Sequence, residues 1–212
     1  MISLSTRGRG ASDDARMVMV ALAYASRDGQ TRRIAERIAA TLGIRGFTVD
    51  EFDVMAGVPT SVDLARYDAA VVASSIRMGK HASPMLRFVR DHREALVRVP
   101  NLFLPVSLSA HGVVDPAASE ERRDRAAAAV EKSNAQFMRD TGWTPHATHP
   151  VAGALLYRQY GFPVRWMMRF ISAMVGATTD TSRDHEYTDW AAIERYANEF
   201  AAQCLANARD AG

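Results

Sequence analysis

One cysteine, Cys204, stands in 212 residues, so a disulfide framework within the chain is excluded. It falls in a helical pattern, where a buried, inert thiol is expected rather than a nucleophile. Lysine is nearly as scarce: Lys80 and Lys132 are the two lysines, and every other basic side chain is arginine. Alongside many alanines this fits a coding bias and by itself points to no ligand. No dense basic run appears and the net charge is only +2, although the pI is near 8.9. A nucleic-acid partner is therefore not expected. No stretch approaches the roughly 18 apolar residues of a membrane-spanning helix. Residues 1–16, MISLSTRGRGASDDAR, lack the apolar centre of a secretory signal. They read as a disordered extension, with Met17 as an alternative start and the folded domain over 17–208. A cytoplasmic location is compatible with all of this. His146 and His149 have no carboxylate or cysteine at ligand spacing, so no metal site is expected. No Ser/His/Asp or Cys/His arrangement stands out.

What is present describes an ordinary folded domain. Hydrophobic residues make up 48% and charged residues 24%, and the length suits one sizeable core. Apolar runs at 17–24 (MVMVALAY), 67–75 and 101–109 predict parallel strands buried on both faces. Residues 47–54 alternate and suit an edge strand, and 148–156 is a weaker fifth. Helical spacing appears over 31–43, where Ile34, Ile38 and Leu42 form a stripe, and over 83–98, 117–141 and 188–208. Ser83 and Pro84 suit the start of the second helix. The alternation predicts an α/β fold: a flavodoxin-like doubly wound sheet of five parallel strands. Residues 157–187 exceed that minimal unit and predict a helical insertion after the fifth strand, started by Pro163 and ended by Gly176.

The first strand leads straight into ASRDGQT (25–31) and then a helix. Gly29 lets the backbone approach a ligand, Ser26 and Thr31 offer hydroxyls, and the helix start directs N–H groups to the same spot. The turn lacks the GK[ST] ending of a P-loop and the three glycines of a dinucleotide fingerprint. A mononucleotide phosphate suits it better than a triphosphate or pyrophosphate. Taken alone, the turn reads equally well as a simple helix cap. Its position, first in a doubly wound sheet, favours an anion.

Ser26-Arg27-Asp28-Gly29-Gln30-Thr31 resembles the FMN-phosphate loop of flavodoxins, with Asp28 in place of the middle threonine. An acidic side chain there has to face away from the phosphate or cap the helix. The variant is similar to that of the quinone-dependent protoporphyrinogen IX dehydrogenases. ASSIRMGKHASPMLRFV (73–89), VAGALLYRQYGF (151–162) and MVGATTDTSRDHEYTDW (174–190) resemble further stretches of that family. Ala25, Ala73 and Met78 depart from it, standing where serine, glycine and an aromatic residue are usual. Methionine is polarizable and can still pack on a ring.

The resemblance implies FMN as cofactor, a porphyrinogen substrate and a membrane quinone as acceptor. Residues 26–31 would hold the phosphate. Ser75, Ile76, Arg77, Met78 and Gly79 would border the flavin ring, with Ser107, Leu108, Ser109 and Ala110 in the loop on its other side. His111 would lie nearby as a contact to flavin or substrate, or simply exposed. Arg165, Trp166 and Arg169, within the insertion, would form an apolar, cationic surface for the substrate. Helix spacing allows them equally to be core-packed with solvated arginines. Peripheral contact with the inner face of the cell membrane and homo-oligomer formation are both compatible. A flavodoxin-type electron carrier and a general FMN-dependent quinone reductase are the alternative activities. The near-neutral charge argues against the carrier.

Overall fold

The computed structural model describes residues 17–57, 62–155, 157, 166, 172 and 180–210. In chain order the main elements are β1 (Met19–Ala25), α1 (Gln30–Ile44), β2 (Thr48–Asp53), β3 (Ala69–Arg77), β4 (Lys80–His81), α2 (Ser83–Asp91) and α3 (Arg93–Arg98). There follow β5 (Asn101–Ser107), α4 (Leu108–Val114), α5 (Glu120–Thr141), β6 (Ala147–Thr148), β7 (Val151–Ala152), β8 (Ala154–Leu155), β9 (His185–Glu186) and α6 (Trp190–Asp210). The main sheet runs β2-β1-β3-β5-β6, with β7 also on β5. Its core pairs are parallel: Val20 lies opposite Val49 and Ala69, and Ala70 opposite Asn101. This is the flavodoxin-like doubly wound order, with its crevice beyond the carboxyl ends of β1 and β3.

The continuous apolar strands follow from two covered faces. Val20, Leu22 and Tyr24 point to one core, shared with Ile34, Ile38 and Leu42 of α1 and Ile193, Ala197 and Phe200 of α6. Ala21, Ala23 and Ala25 point to the other, with Met85, Phe88, Leu96, Phe137 and Trp143. Small alanines on that side leave room for large rings: Phe103 stacks on Phe137 with centroids 4.6 Å apart.

Four local features differ from the sequence reading. The helix expected over 83–98 divides at His92, whose backbone is non-helical (φ −109°, ψ 12°). The apolar stripe continues through the break, since His92 itself packs on Phe88, so spacing alone shows nothing. The fifth strand is interrupted: β6 and β7 pair separately with β5 on either side of His149–Pro150. Proline has no N–H to give the ladder. The chain then leaves the sheet, and β8 pairs antiparallel with β9. β3 runs two residues past its expected end and returns antiparallel as β4. The two-residue turn has both φ positive, at Met78 (52°) and Gly79 (71°). Finally, Ser107–Ala110 is not a loop. Ser107 ends β5 and accepts from Ala110 N at 3.1 Å through its hydroxyl, capping α4. Residues 1–16 and most of 157–179, including Pro163 and Gly176, lie outside the described residues. Among the described residues no helix is long and apolar enough to cross a membrane.

Candidate functional site

The turn after β1 delivers Gly29 to the N-cap of α1 in a left-handed conformation (φ 85°), where a side chain would be strained. Its carbonyl accepts from Arg33 N at 3.1 Å. No side chain caps α1, and its first turn carries no acidic residue. The first-turn amides have no acceptor within the helix, so this end offers donors and partial positive charge to an anion. Ser26 Oγ, on the preceding turn, is buried without a hydrogen-bond partner. Asp28 does not cap the helix. Both its oxygens accept from Arg77 Nη2 at 2.6 Å, which neutralises the carboxylate beside the anion seat. Arg27 donates to the carbonyls of Ser75 (3.2 Å) and Lys80 (3.4 Å), tying the turn to the β3–β4 hairpin. Burial, then repulsion from Arg77, lowers the Arg27 pKa, and Asp28 partly offsets this.

A cavity of about 390 Å³ opens between this turn and the ends of the neighbouring strands. Its wall takes Asp28, Gln30 and Thr31 from the first turn, then Ser75, Ile76, Arg77, Met78 and Gly79 from the hairpin. Ser107, Leu108 and Ser109 close the side beyond β5. Ser75 Oγ is a second buried hydroxyl without a partner. Met78 is 70% exposed and held at positive φ, a conformation uncommon for a bulky residue outside a constrained turn.

Three expected stretches thus meet in one cavity. Gly29 and Ser26 lie on the turn beside it without lining it, Arg27 lines a neighbouring cavity, and Ala110 is buried behind Ser107. The Gln30 side chain turns away: its Nε2 donates to Glu186 Oε1 (3.1 Å) and Thr188 Oγ1 (2.8 Å). Thr188 donates onward to Ala152 O (2.8 Å), and Arg33 pairs with Glu186 (3.0 Å). Burial pushes the Glu186 carboxyl up, but the bonds from Arg33 and Gln30 outweigh it and hold the pKa below its ordinary value. The HEYT segment therefore locks the end of the insertion onto the start of α1. His111 stacks on Tyr187 at 4.0 Å and does not line the cavity. Trp166 is exposed, whereas Arg165 and Arg169 lie outside the described residues. Sequence reasoning missed Gly153 and Ala154, which line the cavity and sit in the quoted VAGALL stretch. It also missed Ala129 and Ser133 of α5, for which no local signal exists.

A family model for the flavodoxin domain matches residues 21–182, which takes in the whole cavity. Protoporphyrinogen IX dehydrogenase (quinone) of Leishmania major is 32% identical over 184 residues, 86% of this chain and 74% of that one. The protein of the same name from Escherichia coli strain K12 is 32% identical over 178 residues, 84% of this chain and 92% of its own. The chain belongs to the quinone-dependent protoporphyrinogen IX dehydrogenases of the flavodoxin-domain family. Among solved structures it is similar to oxidised flavodoxin 1 from Bacillus cereus, 14% identical, covering 87% of this chain and 97% of that one, with a TM-score of 0.47.

A flavodoxin-domain dehydrogenase uses a flavin, and the residues present fit one. The uncapped helix start suits its phosphate. The unpartnered hydroxyls of Ser26 and Ser75 suit polar atoms that a bound ligand would bring. The cavity volume lies in the range of small-molecule sites.

Proposed function

We propose that this chain uses FMN to oxidise protoporphyrinogen IX to protoporphyrin IX, with a respiratory quinone as terminal acceptor. One observation carries the reading. The anion seat and its adjoining cavity occur in a chain whose relatives, 32% identical over most of its length, bear that name. One uncapped helix start beside the cavity favours a monophosphate over a dinucleotide. Main-chain amides at the start of α1 and the Ser26 hydroxyl bind the phosphate. Arg77 keeps Asp28 from repelling it. The hairpin 75–79 and residues 107–109 orient the ring system, and Met78 covers it against water. Bound flavin supplies two-electron redox chemistry, which no side chain of this cavity can. The porphyrinogen loses six electrons and six protons in three two-electron steps, and three quinones take them up as quinols.

The test is anaerobic. Purified protein is mixed with FMN, a quinone and the colourless porphyrinogen. Porphyrin fluorescence should rise with protein concentration and stop when quinone is exhausted. No rise above a control of FMN and quinone alone would refute the assignment.

A further inference from the structure

A second cavity, of about 940 Å³, lies on the far side of the Met78–Gly79 turn. Arg77, Met78, Gly79, Ala129 and Ser133 line both cavities, so they adjoin across a single wall. One side is a face of α5: Ala129, Lys132, Ser133, Gln136, Phe137 and Asp140 recur at three- and four-residue intervals. The opposite side is Arg27, the β4 hairpin with Lys80 and His81, and Leu86 of α2.

The chemistry of this wall is uneven. Leu86, Met78 and Ala129 give it an apolar lining, backed by the buried Phe137, on which His81 packs its ring at 4.5 Å. Burial first, then the nearby Arg27 charge, lowers the pKa of His81 to about 4, so this ring is neutral near pH 7. The rim carries cations. Both lysines of the chain are here, exposed, and neither is ion-paired among the described residues. Arg27 spends its bonds on two carbonyls rather than on a carboxylate. Against these cations Asp140 is the one carboxylate in the wall, and it already accepts from Gln136 at 2.6 Å. An apolar interior with an uncompensated cationic rim suits a flat apolar molecule carrying carboxylates on one edge.

We propose that this cavity is the substrate subsite: Lys80 and Lys132 bind the two carboxylates of the porphyrinogen. The macrocycle lies over Leu86 and Ala129 and reaches the flavin cavity past Met78. The inference rests on the dehydrogenase reading above and adds the place and charge of its substrate. It moves substrate recognition away from the insertion to the hairpin and α5.

The experiment uses full-length, FMN-loaded protein and a Lys80→Gln/Lys132→Gln variant. Both side chains are exposed, so the variant should fold, which its thermal midpoint checks. Protoporphyrin IX is titrated by fluorescence, with its uncharged dimethyl ester in detergent as a second probe. The variant should bind the diacid at least about tenfold more weakly and the diester as the parent does. Flavin content should not change, and in turnover the loss should appear in KM for the porphyrinogen, not in kcat. Equal affinity and KM in parent and variant, with an active parent, would overturn this subsite alone. The same would follow if Arg165→Gln/Arg169→Gln produced the whole loss instead. A parent that binds the diacid through the lysines but does not oxidise the porphyrinogen would overturn the dehydrogenase reading and leave the binding site standing.

Discussion

His81 should make the stability of this protein fall steeply below neutral pH. The imidazole is 6% exposed. It packs against the stacked pair Phe103 and Phe137, with centroids 5.6 and 4.5 Å away, and Nδ1 sits 3.0 Å from Ser74 Oγ. The charged groups sharing its cavity are Arg27, Arg77, Lys80, Lys132 and Asp140, four of them cationic. Burial, reinforced by Arg27, lowers its pKa from 6.5 to about 4, against a smaller opposing effect of a backbone contact with Ser133. Between about pH 6.5 and pH 4 the unfolded chain therefore binds a proton that the folded chain refuses. The stabilisation is complete above the unfolded pKa and is lost as pH falls through this window. Each pKa unit is worth about 1.4 kcal/mol, so the interval amounts to roughly 3 kcal/mol, a large part of a typical domain's stability.

Carboxylates also titrate toward the acid end, so a variant must isolate the histidine. In Ser74→Ala/His81→Phe both members of the hydrogen bond are removed, which leaves no orphaned buried hydroxyl. The aromatic packing is kept. Urea midpoints for parent and variant would be measured from pH 4.5 to pH 8. The parent should lose roughly 2–3 kcal/mol more than the variant on going from pH 7 to pH 4.5. Parallel curves for the two proteins would refute the reasoning. So would a native-state NMR titration in which the His81 ring protonates near pH 6.5.

Gly29→Val introduces a side chain at φ 85°, where an added Cβ meets no atom within 4 Å. The cost is therefore backbone strain of about 1–2 kcal/mol. The protein should still fold, but FMN affinity, read by quenching of flavin fluorescence, should fall more than about tenfold as the amides lose their alignment. Gly43→Ala is the contrasting case: it sits within α1 with open space around it. It should raise the thermal midpoint by up to about 1 kcal/mol of stability and leave FMN affinity alone. Arg77→Gln strands the Asp28 carboxylate beside the phosphate seat, so FMN binding should weaken about five- to tenfold. Adding Asp28→Asn should restore most of it, and equal weakening in the double variant would show that Arg77 acts otherwise. Cys204 is 4% exposed and burial pushes its thiol up to about 12. Native protein should resist thiol reagents at pH 8, with one equivalent reacting on unfolding.

The sequence by itself determined the features that are local or that follow from periodicity. The turn after β1 was legible as a candidate anion site because its glycine, its hydroxyl and its helix start all fall within seven consecutive residues. The strands were legible because a sheet covered on both faces needs unbroken apolar runs such as MVMVALAY. Once their order implied a doubly wound sheet, the ends of β3 and β5 had to meet that turn, and 75–79 and 107–109 do line the cavity beside it. Even there Ser107 was read as loop, because its role depends on a hydroxyl turning back to Ala110 N. The tertiary structure alone decided the pairings between distant residues. Asp28 reads as a liability beside a phosphate until Arg77, 49 positions on, is seen to hold it. Gln30 reads as a phosphate ligand until Glu186, 156 positions on, is seen to draw its side chain away. Lys80 and Lys132 carry no local signal, and only the packing of α5 against the hairpin sets them on one rim. Periodicity reports which face of an element is buried; which remote charge that face will meet depends on how the elements pack.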